Sequence, residues 1–228
     1  MMSEQQILSA CVEEPSLIFK AIKNGYYDVI EKLIDDNLVN VNLVDSVGND
    51  VVTRLLKAKR YDLVERLMKK RNWDVNHKNV DGDTFGHVLA YDNSLNAVKV
   101  VELLNKKKNF SPNIKNNKGE TSFDRAIKNN YLCTAIKFLK DKRFNSINLE
   151  SFINLYKVVF KSKEYGKYTK LNTLEIIVDN LEKKDLEPTL MRLLDEITNN
   201  FDIIRRDILN NDSRILDKLI NSNLIYNE

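Results

Sequence analysis

Glycine, proline and cysteine are scarce in this chain: six, three and two among 228 residues. So few turn formers argue against an all-β protein built on tight turns and favour helices. The two cysteines, Cys11 and Cys133, sit at no disulfide or metal spacing, which points to a reducing compartment. No apolar run approaches the roughly 20 residues that cross a bilayer. The opening MMSEQQILSACVEE is acidic and lacks a signal peptide's charged start and long apolar stretch. The expectation is an intracellular chain, cytoplasmic or nuclear, with no membrane partner. Only two histidines occur, with no glycine-rich phosphate loop and no zinc-type spacing. Such a set gives no positive support for a nucleophile, base and oxyanion group, so neither an enzyme nor a cofactor is expected, a site hidden in the C-terminal third being the alternative.

What is present is apolar and charged in ordinary amounts, 43% and 30%, as in a folded protein rather than a disordered one. The charge is unevenly placed. Residues 1–50 carry three Lys against nine Asp or Glu, or −6, and residues 51–170 carry 26 Lys or Arg against twelve acids, or +14. Residues 171–228 carry seven against twelve, or −5, so a net charge of +3 conceals a basic middle between acidic ends.

Four stretches end in nearly the same phrase: VNVN at 39–42, WDVN at 73–76, SPNI at 111–114 and SINL at 146–149. Their asparagines, Asn42, Asn76, Asn113 and Asn148, are separated by 34, 37 and 35 residues. A period of this length marks units too small to bury a core alone, which stack on their neighbours. A glycine turn precedes three of the units, in Asp45-Ser-Val-Gly48, Asp81-Gly82 and Asn117-Lys-Gly119. Each turn is followed by a short apolar segment and then a longer one. Apolar residues recur at helical spacing there, as in Leu63, Val64, Leu67 and Met68. The unit reads as turn, short helix, second helix, loop.

This pattern resembles the ankyrin repeat, whose consensus runs D-x-x-G-x-T-P-L-H-x-A, then G-x-x-x-V-V-x-L-L, then D-V-N. The best match is Asp81-Gly82-Asp83-Thr84-Phe85-Gly86-His87 with Val100-Val101-Glu102-Leu103-Leu104. The first unit matches at Ser16-Leu17-Ile18-Phe19-Lys20-Ala21 and Gly25-Tyr26-Tyr27-Asp28-Val29-Ile30, and the fourth at Gly119-Glu120-Thr121 and Arg125-Ala126. No unit holds the full T-P-L-H, and the second has Asp50 and Thr53 where Thr and His are usual. The units fall at about 14–44, 45–80, 81–116 and 117–149. Beyond them, 150–228 reads as diverged helical repeats and a C-terminal cap, with a separate small helical domain as the alternative. Asp207–Asn223 aligns without a gap on Ala21–Asn37, and Pro188 is placed to start a helix. The expected fold is all-α, an ankyrin-type helical-repeat solenoid with degenerate C-terminal helical repeats.

The resemblance implies a non-catalytic module, an adaptor, inhibitor or assembly factor, monomeric alone and binding a partner protein on its concave surface. The positions it assigns to that surface include Asp50, Arg54, Asp83, Val88, Tyr91, Asp124, Arg125 and Lys128. It also implies that His87 bonds backbone between repeats. His77 is expected in solvent, and Cys11 and Cys133 as small buried apolar residues. A second candidate surface is basic: Lys69, Lys70 and Arg71, then Lys106, Lys107 and Lys108, then Lys140, Lys142 and Arg143. Helix C-termini favour cations by about a few tenths of a kcal/mol each, which accounts for one or two per helix and less well for triplets. As a binding ridge, these would suit an acidic protein surface or, as the alternative function, nucleic-acid phosphate. Only Trp73 and Phe110 lie nearby as stacking aromatics, so the acidic protein is favoured.

Overall fold

A computed structural model describes residues 3–144 together with 151, 154, 155 and 158. Among them the protein is helical, with no strand beyond an isolated antiparallel bridge between Val44 and Asp50. The expected all-α class holds for these residues. The chain divides into two compact parts, Met1–Phe138 and Leu139–Glu228. Among the described residues no helix is long and apolar enough to cross a membrane.

The first part opens with α1 (Glu4–Glu13), started by a capping box in which Ser3 and Gln6 satisfy each other's backbone amides. A 3-10 turn at Pro15–Leu17 leads into α2 (Ile18–Lys23), and α3 (Tyr27–Asp35) returns against it. Three further pairs follow: α4 (Val51–Lys57) with α5 (Tyr61–Met68), α6 (Phe85–Leu89) with α7 (Leu95–Asn105), and α8 (Ser122–Lys128) with α9 (Leu132–Leu139). The short helices contact one another in order, α2 with α4, α4 with α6 and α6 with α8, and α5 contacts α7. The core is built from the apolar stripes of both sets. Leu55, Leu63, Val64, Leu67, Leu89, Val100, Val101 and Leu104 are fully buried. Each such side chain contributes about 1.5–3 kcal/mol by leaving water, which is why helices of five to eleven residues persist here.

The connections between units are the most regular feature. Ahead of α4, α6 and α8, a hairpin closes between Asp45 and Asn49, Asn79 and Asp83, and Asn116 and Glu120, each first residue's amide donating at 3.0 Å to the second's carbonyl. Within each hairpin the first residue's side-chain oxygen accepts two backbone amides, at 2.9–3.0 Å. The turn residues are thus Asp45, Asn79 and Asn116, three before each glycine; Asp81 and Asn117, read from sequence as turn starters, are exposed tip residues. Neighbouring hairpins are joined by Val80 N–H to the Val47 carbonyl at 3.2 Å and Asn117 N–H to the Asp81 carbonyl at 3.0 Å.

The repeated asparagines join the loops that lead into these hairpins, each three residues ahead of a hairpin's first residue. Asn42 donates its amide to the Asn72 carbonyl at 2.6 Å and accepts from Asp74 N–H at 2.8 Å. Asn76 does the same one unit later, to the Asn109 carbonyl at 2.6 Å and from Ser111 N–H at 2.9 Å.

In the second part, Asp141 is buried and holds the Arg143 guanidinium through hydrogen bonds of 2.9 and 2.7 Å. Ser151, Asn154, Leu155 and Val158 are helical, at the start of the stretch expected to hold diverged helical repeats. The other expectations for 150–228, including the tail match at 207–223, and Asn148 of the fourth phrase lie outside the described residues.

Two stability predictions follow from these connections. Asn76→Asp keeps the acceptor but sets a carboxylate against the Asn109 carbonyl, so a loss of about 1–3 kcal/mol is expected in urea unfolding. An unchanged midpoint would show that the amide bridge carries no stability. Gly82 and Gly119 both have positive φ, +73° and +75°, where a side chain costs roughly 1 kcal/mol. A Cβ on Gly82 would also come within 2.8 Å of the Asn117 backbone nitrogen, whereas Gly119 has nothing within 4 Å. Gly82→Ala should therefore destabilise measurably more than Gly119→Ala in the same assay.

Candidate interaction surface

Because the hairpins repeat in register, residues of the short helices fall into columns. Arg54, Val88 and Arg125 share one position, nine residues after the hairpin start, and Lys57, Tyr91 and Lys128 share another, three residues on. The residues preceding the helix caps, Asn49, Asp83 and Glu120, form an edge of one amide and two acids that meets these side chains.

The residues that differ from unit to unit here all close helix N-termini. Asp50, Thr84 and Thr121 occupy the N-cap of α4, α6 and α8. Asp50 accepts from Thr53 N–H at 2.6 Å, and its other oxygen takes the Trp73 indole N–H at 2.8 Å. Burial pushes the Asp50 pKa up, against the pull of those hydrogen bonds. Thr121 and Asp124 form a reciprocal capping box, with three bonds of 2.8–3.2 Å. His87 fills the corresponding place in α6: its Nδ1 accepts from Thr84 N–H at 3.2 Å while Nε2 faces the Glu120 carbonyl at 2.8 Å. That assigns the neutral, Nε2-protonated ring.

Three residues expected on the contact surface are therefore interior. Asp50, Asp124 and Arg125 are buried, the first two committed to helix caps. Arg125 is only 3% exposed, pinned by Asp83 and by Glu120 at 3.4 Å, with its guanidinium 5.0 Å above the Tyr91 ring. Asp83 also accepts from the Asn116 amide at 2.9 Å. Burial works against ionising Asp83, but Arg125 and Asn116 outweigh it and hold its carboxyl below the ordinary range. Burial likewise opposes the charge on Arg125, and Asp83 restores it. Of the other five, Asp83 is nearly covered, its side chain 10% exposed, and Arg54, Val88, Tyr91 and Lys128 reach the surface; Arg54 is paired with Asp45 and Lys128 with Glu120 at 2.7 Å. Lys57, which the sequence reading omitted, joins them, exposed, with its ammonium 3.1 Å from the Asn49 side-chain oxygen. Its spacing of 34 residues before Tyr91, the interval between Arg54 and Val88, was the available signal.

The basic clusters are placed less uniformly. Lys69 and Lys106 cap the C-termini of α5 and α7 and are exposed, as are Arg71 and Lys108. Lys70 reaches back to the Asn37 side-chain oxygen, and Lys107 lies 5.5 Å over the Trp73 ring, where burial pushes its pKa down. These two tie one unit to the one before. Lys140 and Lys142 are exposed and Arg143 is held by Asp141, all within the second part. Trp73 and Phe110 are buried, Trp73 edge-on to Phe85 at 5.0 Å, so neither offers a ring to a base.

Other expectations also change. His77 is half-buried rather than solvated, with Nε2 2.9 Å from the Gly48 carbonyl. Cys11 is buried, but Cys133 is exposed on α9, because its place on the helix faces away from the packed stripe. Among the described residues no group of three His, Cys, Asp or Glu could hold a metal ion. No family model matches the chain, and no curated protein matches it.

The His87 geometry sets a pH dependence. Burial lowers its pKa from the ordinary 6.5, with the Glu120 carbonyl and Asp83 opposing and Arg125 and Lys78 assisting. The unfolded chain then binds the proton more readily, so this contribution is complete above pH 6.5 and is lost as pH falls through it. Asp50, with a raised pKa, acts with the opposite sign as pH approaches its ordinary 3.8. Stability should therefore fall between pH 7.5 and 5.5, by about 1.4 kcal/mol per unit of pKa separation traversed. Urea midpoints that stay level over that range, or fall equally in His87→Gln, would refute the assignment.

Proposed function

We propose that this chain is a non-catalytic protein-interaction module of the ankyrin-repeat kind, an all-α helical-repeat solenoid acting as adaptor, inhibitor or assembly factor. The observation that carries this reading is the recurrence of the hairpin, cap and asparagine hydrogen bonds at intervals of 34 and 37 residues. Such recurrence aligns the short-helix positions into one face, and gives that face a frame with little freedom to lose on binding. The face corresponds to the concave surface that ankyrin repeats use. Its acids are spent on caps and on ion pairs with its own cations, an arrangement suited to holding shape rather than to transferring protons. The nucleic-acid alternative is weakened by the burial of Trp73 and Phe110, which leaves the lysine clusters without stacking partners.

Affinity capture from the source cell separates the two surfaces. Three baits are needed: wild type, a face variant (Lys57→Glu with Tyr91→Ala) and a basic-cluster variant (Lys69→Glu, Arg71→Glu and Lys106→Glu). A partner protein retained by the cluster variant and lost by the face variant is the expected result. Capture that depends on the cluster and is abolished by nuclease would instead establish the nucleic-acid reading.

A further inference from the structure

The short-helix face has an order of chemistry along it. Its middle position is apolar, with Tyr91 54% exposed and Val88 half-buried beside it. One unit toward the N-terminus stands Lys57, and one unit toward the C-terminus stands Lys128, whose side chain is 70% exposed. The acids beneath are unequal. Asp83 and Glu120 precede the caps of α6 and α8, but the matching residue under Lys57 is Asn49. Among the described residues the Lys57 ammonium therefore meets a neutral amide oxygen and no carboxylate. On the other side Lys128 meets Glu120, itself 15% exposed and shared with Arg125, but the Lys128 side chain is 70% exposed and its ammonium has three donors, so it can take a second carboxylate while keeping the first. Arg125 covers one side of the Tyr91 ring and leaves the rest open.

Stacked helices lie about 10 Å apart, and an extended chain advances about 3.3 Å per residue, so one unit corresponds to three residues of extended chain. We infer that the partner presents an extended acidic segment, with an apolar residue seated on Tyr91 and Val88. An Asp or Glu three residues before it, and another three residues after, meet Lys57 and Lys128. This rests on the protein-binding reading above and names its ligand. A helix is a poorer occupant. Its apolar stripe runs along its whole length and needs several apolar positions in line, whereas this face offers one position flanked by charge. At 1.5 Å per residue a helix would also space its acids about seven residues from the anchor.

The test is display of random sixteen-residue peptides, selected on the full chain at low salt and counter-screened on a Lys57→Glu, Tyr91→Ala variant. The expected winners carry an apolar residue with acids at −3 and +3. Each of Lys57→Glu, Lys57→Ala and Tyr91→Ala should weaken them about tenfold, as a central anchor or close charge pair does. Lys106→Glu should change their affinity by less than about twofold, as expected of a distant screened charge. Circular dichroism of each variant confirms that the fold is kept. Winners with acids at seven-residue spacing, or with none, overturn the extended acidic segment while leaving the face intact, provided they still depend on Tyr91. Winners indifferent to Lys57 and Tyr91 overturn the face as well. A selection that enriches nothing overturns the segment, and the capture experiment then judges the face by itself.

Discussion

A unit of some 34 residues made of two short helices has more backbone polar groups in its loops than its helices can satisfy. Those loops alternate exposed polar residues such as Asn72 and Asp74 with buried apolar ones such as Trp73 and Val75, so their backbone needs partners that hold it in place. The asparagine amide answers this with one donor and one acceptor on a short, stiff side chain. Asn42 and Asn76 each spend both on the backbone of the next loop. One residue thereby fixes where the following unit sits, and the helix packing that buries Leu55, Leu67 and Leu104 depends on that placement. Leucine surfaces could slide by part of a turn at modest loss; a pair of opposed hydrogen bonds cannot.

The hairpins that follow these loops constrain the stack by the same logic, and they set the electrostatics of the face. Asn79 and Asn116 donate across to Asn49 and Asp83 at 3.1 and 2.9 Å while their own oxygens hold the turn. The first hairpin starts with Asp45 instead, whose side chain has no N–H to give and takes Arg54. Burial opposes its charge, and the amides of Asn49 and Val47, with Arg54, hold its carboxyl low. Asp45, Asp83 and Glu120 thus each have a cation from a short helix, whereas Asn49 is neutral. A neutral residue in one link of an otherwise acidic edge is what leaves Lys57 to look outward.

The helices and their apolar stripes were legible because period and burial are both properties of local sequence. Leu63, Val64, Leu67 and Met68, picked out by spacing, are the buried face of α5. The contact surface was less legible. Asp50, Asp124 and Arg125 are charged residues in positions where a family pattern places ligand contacts, and sequence alone does not say that a carboxylate is closing a helix. Arg125 is hidden by partners up to 42 residues away, Asp83 above all, and Asp50 by an indole 23 residues on. Asn79 and Asn116 were overlooked for a different reason. The Asx residue adjacent to a glycine suggests a tight turn, while the residue three before it makes the bonds. The interval of 34 and 37 between Asp45, Asn79 and Asn116 was in plain view and would have identified them.

The longer second interval has a local cause. Three more residues separate Tyr91 from the buried stripe of α7 than separate Lys57 from that of α5, since Val64 and Leu67 correspond to Val101 and Leu104. They lengthen the connection and start α7 at Ser94, whose hydroxyl accepts from Ala97 N–H at 3.2 Å. The cost in exposed apolar surface is Leu95, at 81%. The connection is nonetheless held from both neighbours. Tyr61 donates its hydroxyl to Asp92, and burial with that bond raises the Tyr61 pKa to about 12. From the other side, the Thr134 hydroxyl donates to the Asp92 carbonyl at 2.7 Å and its amide to the Asn93 side chain at 3.2 Å. An insertion placed after the short helix and pinned on both flanks leaves the hairpins and the short helices in step. The columns Arg54, Val88, Arg125 and Lys57, Tyr91, Lys128 therefore survive a change of period that would otherwise break them.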